Sequence, residues 1–238
     1  KYYKKLGFNY DSFNQNILNL DHKKKNILFI CTTDYEHQAI SLDYKRFYIN
    51  KEWSKQINAI KSLIDLIKKK KNFFLIIKAH PNFKQDKKLE EKFNSLQAEN
   101  VIYLSASSKI NTYDLIKKSN IICSFGSSLE LFSSFYKKKT ISFFKTLWLK
   151  FNIVDYPKNN SDLKKKIFSE NKLINNKKKI KNVFKIIYYM NTFGKKYKYF
   201  LPLGHSRGLF KKTKINHYGP IVNNIFNLEK LLKIRFYR

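Results

Sequence analysis

The chain has 238 residues, roughly one and a half domains at ~150 residues each. With 43% hydrophobic and 16% aromatic residues, but only 6 Gly and 4 Pro, it excludes a wholly disordered chain or one made of flexible linkers. The net charge of +32 invites nucleic acid, but no nucleic-acid-binding motif accompanies it, and no apolar run approaches the ~18 residues of a spanning helix.

The first 25 residues are polar and aromatic without a clean period. They read as a lead-in or as the end of a domain upstream. The chain opens on Lys1 rather than Met, which reads as a processed or excised piece, and its start lacks the apolar core of a signal peptide. Ile27–Cys31 is a continuous apolar run, as in a parallel strand buried on both faces. Trp53, Ile57, Ile60, Ile64 and Ile67 recur at helical spacing and predict an amphipathic helix. Phe73–Ile77 is a second buried strand, which Lys78-Ala79-His80-Pro81 ends, because proline cannot continue a central strand. Leu89, Phe93 and Leu96 mark a second helix, and Val101–Leu104 a third strand. A short helix over 112–119, with Thr112 as a candidate N-cap, leads to a fourth strand at Ile121–Ser124. A Gly126-Ser127-Ser128 turn opens a helix from Leu129 to Tyr136, and Thr140–Phe144 is the fifth strand.

Strand and helix alternate with short connections, which predicts an α/β fold: a Rossmann-like parallel sheet with helices on both faces. Residues 26–145 would form this domain, and 146–238 a mostly helical basic segment packing on it. Ligands of such sheets bind beyond the carboxyl ends of the strands. The loops at Thr32–Glu36, Ala79–Asn82, Ser105–Ser108 and Phe125–Glu130 are therefore the ones to inspect.

In those loops His80-Pro81 offers an imidazole on a rigid turn, suited to a phosphate or a leaving oxygen. The alternative is a structural histidine at a strand end. Gly126, Ser127 and Ser128 present backbone amides and two hydroxyls at a helix start, an anion site. Glu130 in the first turn is within reach of ribose hydroxyls; the alternative is an ordinary serine cap with a first-turn acid. Thr32-Thr33-Asp34-Tyr35-Glu36 is a plain loop or a ligand contact, with Thr33 its candidate. His37, His205 and His217 have no metal-ligand spacing, and no Asp-x-Asp, dinucleotide, P-loop or nucleophile-elbow motif is present. No cofactor or metal is expected. Cys31 and Cys123, inside apolar runs, read as buried thiols of a reducing compartment. Lysine runs at 68–71, 137–139 and 177–179 read as solvated faces or helix ends, with a basic surface for anionic lipid or an anionic substrate as the other reading. Lys, Asn, Ile, Phe and Tyr, all abundant here, share A/T-rich codons, which accounts for much of the charge without a binding role.

The stretches LIIKAHPN (Leu75–Asn82) and INTYDLIKKSNIICSFGSSLELFSSFYKKKTI (Ile110–Ile141) resemble bacterial capsule-polysaccharide synthesis and export proteins, whose enzymes include Kdo-transferase-like glycosyltransferases. FICTTDYEHQAI, WSKQINAIKSLI and YYMNTFGKKYKYF (Tyr188–Phe200) look like that family's flanking segments, so the resemblance covers about residues 26–200. It implies the nucleotide-binding C-terminal half of a two-domain GT-B glycosyltransferase. His80, Ser127 and Ser128 would contact the nucleotide phosphate, with Pro81, Gly126 and Thr33 beside it and Glu130 near the ribose. His80 would act catalytically by stabilising the leaving phosphate. A nucleotide-sugar would be the donor and a lipid-linked or glycan acceptor the partner, with no nucleic acid, in the cytoplasm or on the inner face of the membrane. Lys78 stands where the family usually has Arg, and Lys139-Thr140 where it has Lys-Pro. A second domain of such an enzyme does not fit in 25 residues. The other expectations are a CDP-glycerol glycerophosphotransferase of teichoic-acid type, or an inactive nucleotide-binding remnant.

Overall fold

The computed structural model describes residues 23–33, 47–169, 177–192, 200–204, 207–211 and 213–216. The lead-in at 1–22, the Asp34–His37 part of the first strand's exit, and His205 and His217 lie outside the described residues. Five strands form one parallel sheet: β1 (Lys25–Ile30), β2 (Phe73–Lys78), β3 (Val101–Leu104), β4 (Ile121–Ser124) and β5 (Lys139–Ser142), ordered β3-β2-β1-β4-β5. Leu28 pairs with Ile76 on one side and Ile122 on the other, so β1 is the central strand.

The continuous apolar runs follow from burial of both faces. Ile27 and Phe29 point to one face with α1 (Gln56–Ile67) and Phe93 of α2 (Lys87–Asn94). Leu28 and Ile30 point to the other with Leu115 and Ile116 of α3 (Thr112–Lys118) and with Leu129, the first residue of α4 (Leu129–Phe135). The first two crossover helices thus cover one face and the next two the other, so the sheet is doubly wound, as the alternation of elements predicts.

Several boundaries differ from the sequence reading for local reasons. Trp53 sits in a short 3-10 turn before α1, yet is fully buried against Phe143, its ring edge-on at 4.9 Å. Asn111, not Thr112, caps α3, its side chain accepting from the Tyr113 amide at 2.9 Å. The fifth strand ends at Ser142, where Ser142 Oγ donates to the Phe144 carbonyl at 2.8 Å and turns the chain.

Beyond the sheet, α5 (Asn160–Phe168) returns to the first face through Leu163 and Ile167. The next helix, α6 (Lys177–Thr192), packs Val183 and Ile186 with Leu131, Trp148, Ile153 and Val154. Contacts divide the chain into a unit at Tyr10–Asn191 and another made of Lys1–Asn9 with Thr192–Arg238. In the latter, β6 (Phe200–Gly204), β7 (Arg207–Phe210) and β8 (Thr213–Asn216) form an antiparallel sheet in chain order. These three strands lie within the 146–238 segment that the sequence reads as mostly helical. Pro202, Gly204 and Gly208 disfavour a helix interior there. Among the described residues no helix is long and apolar enough to cross a membrane.

Candidate functional site

The sheet order creates a switch point. The chain runs from β1 outward to β2 and β3, then crosses back to β4 on the other side of β1. In sheets of this kind ligands bind at such a point, beyond the carboxyl ends of the two flanking strands, here β1 and β4. Thr32 and Thr33 follow β1 there, and Phe125 to Ser128 follow β4. His80 follows β2, the strand on the other side of β1. With neighbouring strands ~4.8 Å apart, the β2 and β4 exits lie about 10 Å apart, a span a diphosphate can bridge.

The β4 exit is a tight turn. Gly126 has φ 82°, a left-handed conformation that suits a residue without Cβ. Ser127 Oγ accepts from the Leu129 amide at 3.2 Å and so caps α4. Ser128 is exposed and makes no side-chain cap bond. The two hydroxyls of the Gly-Ser-Ser motif thus differ: one is committed to the fold and the other faces solvent.

Glu130 lies beneath this turn. It is fully buried, and its Oε1 accepts from Ser124 Oγ at the end of β4. Its Oε2 accepts from Thr146 Oγ1 at 3.4 Å, and that hydroxyl bonds Tyr156 Oη at 2.8 Å. Burial pushes the carboxyl up to about 7, against the opposing pull of hydrogen bonds from Ser124, Ser142, the Gly126 backbone and Thr146.

The β2 exit is fixed in a similar way. His80 Nδ1 accepts from the Asn82 amide at 3.2 Å, with Pro81 opening the 3-10 turn that follows. The proton of a neutral His80 ring then belongs on Nε2. Lys78, two residues earlier, is buried, and its Nζ donates to the Ser105 carbonyl at 3.0 Å. Its ammonium is thus spent on tying the β2 and β3 exits together. Burial lowers it to about 8, while Cys31 and Glu90 pull it back up. The Glu90 carboxylate accepts from the Ala106 amide at 2.8 Å and secures the same β3 exit from α2.

At the β1 exit, Thr33 is buried, and Thr32 Oγ1 donates to the Phe125 carbonyl at 3.0 Å across the switch point. Gln56, at the start of α1, closes a two-bond ring on Thr32. Its Nε2 donates to the Thr32 carbonyl at 2.7 Å and its Oε1 accepts the Thr32 amide at 3.1 Å. Motif reading placed Thr32 in a loop to inspect but not in this bonding role, and missed Gln56, Ser124 and Thr146. The available signal was Gln56 itself, a polar residue on the buried, otherwise apolar stripe of an amphipathic helix.

His80, Pro81, Thr33, Gly126, Ser127 and Ser128 therefore stand at one sheet edge, and Glu130 stands behind them. Among the described residues no three His, Cys, Asp or Glu side chains group as a metal centre requires. Cys31 and Cys123 are buried and unbridged.

No family model matches the chain, and no curated protein matches it. Among solved structures it is similar to a UDP-N-acetylglucosamine 2-epimerase from Neisseria meningitidis bound to UDP-GlcNAc, at 16% identity and TM-score 0.46, over 74% of this chain and 46% of that one. It is also similar to the wall teichoic acid polymerase TagF, at 14% identity and TM-score 0.45, over 72% and 40%. A β-Kdo 2,4-transferase from Thermosulfurimonas dismutans matches at 11% identity and TM-score 0.40, over 67% and 44%. The chain spans half or less of the length of each. At these scores the likeness carries no functional conclusion, and the site rests on the residues described above.

Proposed function

We propose that the chain is the donor-binding part of a glycosyltransferase, which moves a sugar from a nucleotide-activated donor to a lipid-linked or glycan acceptor in surface-polysaccharide synthesis. The observation that supports it most is the side-by-side placement of the β2, β1 and β4 exits across the switch point. That edge carries a histidine on a rigid turn, a glycine–serine turn rich in donors, and threonines between them. A departing nucleotide gathers negative charge on its phosphate. Donors fixed before the reaction stabilise that charge without reorganising. His80 Nε2–H and the hydroxyl and amide of Ser128 are the groups we assign to it. Gly126 lets the turn approach closely, and Ser127 and Glu130 hold it in place.

The test is calorimetric titration of CMP, CDP and UDP into the full chain and into His80→Ala and Ser128→Ala. A hydrogen bond to a charged phosphate is worth ~1.5–3 kcal/mol, so each variant should lose at least about tenfold in affinity. Ser128 is the cleaner probe, because its hydroxyl has no role in capping α4. If none of the three nucleotides binds the folded wild-type chain at millimolar concentration, the reading fails.

A further inference from the structure

The outer surfaces of α4 and α6 carry aromatic rings that the fold does not bury. Phe135 is 43% exposed, Phe184 54% and Tyr188 71%. They form one surface. The Phe135 and Phe184 rings meet edge-on, with centroids 5.8 Å apart, and Phe135 also meets Tyr136 at 5.7 Å. Phe184 and Tyr188 are four residues apart on α6, hence on one face. Val183 and Ile186, by contrast, face inward and are buried.

This aromatic ridge is edged with lysine. Lys117 Nζ lies over the Tyr136 ring at 5.5 Å. Lys181 precedes Phe184 by three residues and Lys185 precedes Tyr188 by three, and both lysines are exposed. The whole of α6, KKKIKNVFKIIYYMNT, contains no Asp or Glu. Rings beside ammonium groups match the boundary of an anionic bilayer. There the apolar part of a ring enters the headgroup layer, while lysine stems snorkel toward lipid phosphates. A second copy of the chain is a poor occupant, because each copy carries +32 and would oppose the other.

We infer that the exposed faces of α4 and α6 form a docking surface for an anionic lipid bilayer. The contact is peripheral: the ridge lies on the surface and spans nothing. It is independent of the proposed sugar transfer, because none of these residues stands at the strands' carboxyl edge.

The experiment is sedimentation of the full chain with vesicles of phosphatidylcholine alone or with a quarter phosphatidylglycerol. Three double variants are compared: Phe184→Ser with Tyr188→Ser, Lys181→Gln with Lys185→Gln, and Lys68→Gln with Lys69→Gln after α1. All six side chains are exposed, so the fold should persist, and circular dichroism checks it. Wild type should bind only the anionic vesicles. Each lysine at such a surface is worth about fivefold, so the Lys181/Lys185 pair should lose about thirtyfold. The aromatic pair should lose at least about tenfold, and the Lys68/Lys69 pair little. Equal losses from both lysine pairs with the aromatic pair unchanged would overturn the inference in favour of diffuse charge. So would preference for single-stranded RNA in competition, or self-association that the aromatic pair abolishes without any vesicle binding.

Discussion

Replacing Glu130 by Gln probes the group that links the candidate turn to the core. Burial pushes the folded carboxyl from 4.5 up to about 7. Below pH 4.5 both folded and unfolded chains hold this proton, and its contribution to stability is complete. As the pH rises toward about 7 the unfolded chain has released it while the folded chain still binds it. The unfolded state thus binds fewer protons, and stability falls. At about 1.4 kcal/mol per pH unit, the interval from 4.5 to about 7 corresponds to a loss of ~3 kcal/mol. The groups facing the carboxyl are Ser124 of β4, Gly126 of the turn, Ser142 of β5 and Thr146, with Tyr156 beyond. None titrates in that window, since burial raises the Tyr156 phenol further. The glutamine amide can donate to one neighbouring hydroxyl and accept from the other, so the variant keeps its partners without the titration. Urea unfolding at pH 5, 6, 7 and 8 should show wild-type stability dropping relative to Glu130→Gln by most of that ~3 kcal/mol. Parallel curves for the two proteins would refute the reasoning, because every other titrating group is common to both.

Ser127→Ala should cost about 1 kcal/mol in urea unfolding through the lost α4 cap, whereas Ser128→Ala should leave stability within ~0.5 kcal/mol and act on nucleotide binding alone. Lys78→Met should remove a pH dependence of opposite sign. The folded ammonium titrates near about 8 and the unfolded one at 10.5, so wild-type stability should rise with pH across that interval and the variant's should not, as urea midpoints at its two ends will show. Trp53→Ala should cost ~3–5 kcal/mol in thermal or urea unfolding, because the ring is fully buried on Phe143 and its Nε1 donates to Ser62 Oγ at 3.0 Å. A loss under ~1 kcal/mol would mean that this corner of the core repacks.

The sheet was legible because its signal is redundant. Each strand is a short run of consecutive apolar residues, and burial on both faces leaves no other residue type at Ile27–Ile30 or Leu75–Ile77. Strand order was not legible, since nothing in those runs says that β4 rather than β2 or β3 pairs on the far side of β1. That order decides which loops meet, and so decides the site. Helix ends were misplaced by one or two residues where two polar residues compete for a cap, as Asn111 and Thr112 do. The antiparallel strands at 200–216 gave no sign, because Phe200-Leu201-Pro202-Leu203-Gly204 neither alternates nor runs as a buried strand does.

The same logic explains why motif reading found the tips of the site and missed its supports. At the carboxyl edge the buried residues turn from apolar to polar: β2 ends in Lys78, β4 in Ser124, β5 in Ser142, and Thr32 follows β1. A buried polar group without a partner costs ~1–3 kcal/mol, so each must find one nearby. Lys78 takes the Ser105 carbonyl, Ser124 takes Glu130, Ser142 takes the Phe144 carbonyl and Thr32 takes the Phe125 carbonyl. In every case the partner lies in an exit loop or behind one, so satisfying the strand ends also fixes the loops. Ser128 and the part-exposed His80 are left at the tips of loops whose geometry is set from below. Donors held this way lose little freedom on meeting an anion, which lowers the cost of binding it. Substitutions at Ser124, Thr32 or Lys78 should therefore disturb any ligand at this edge without touching it.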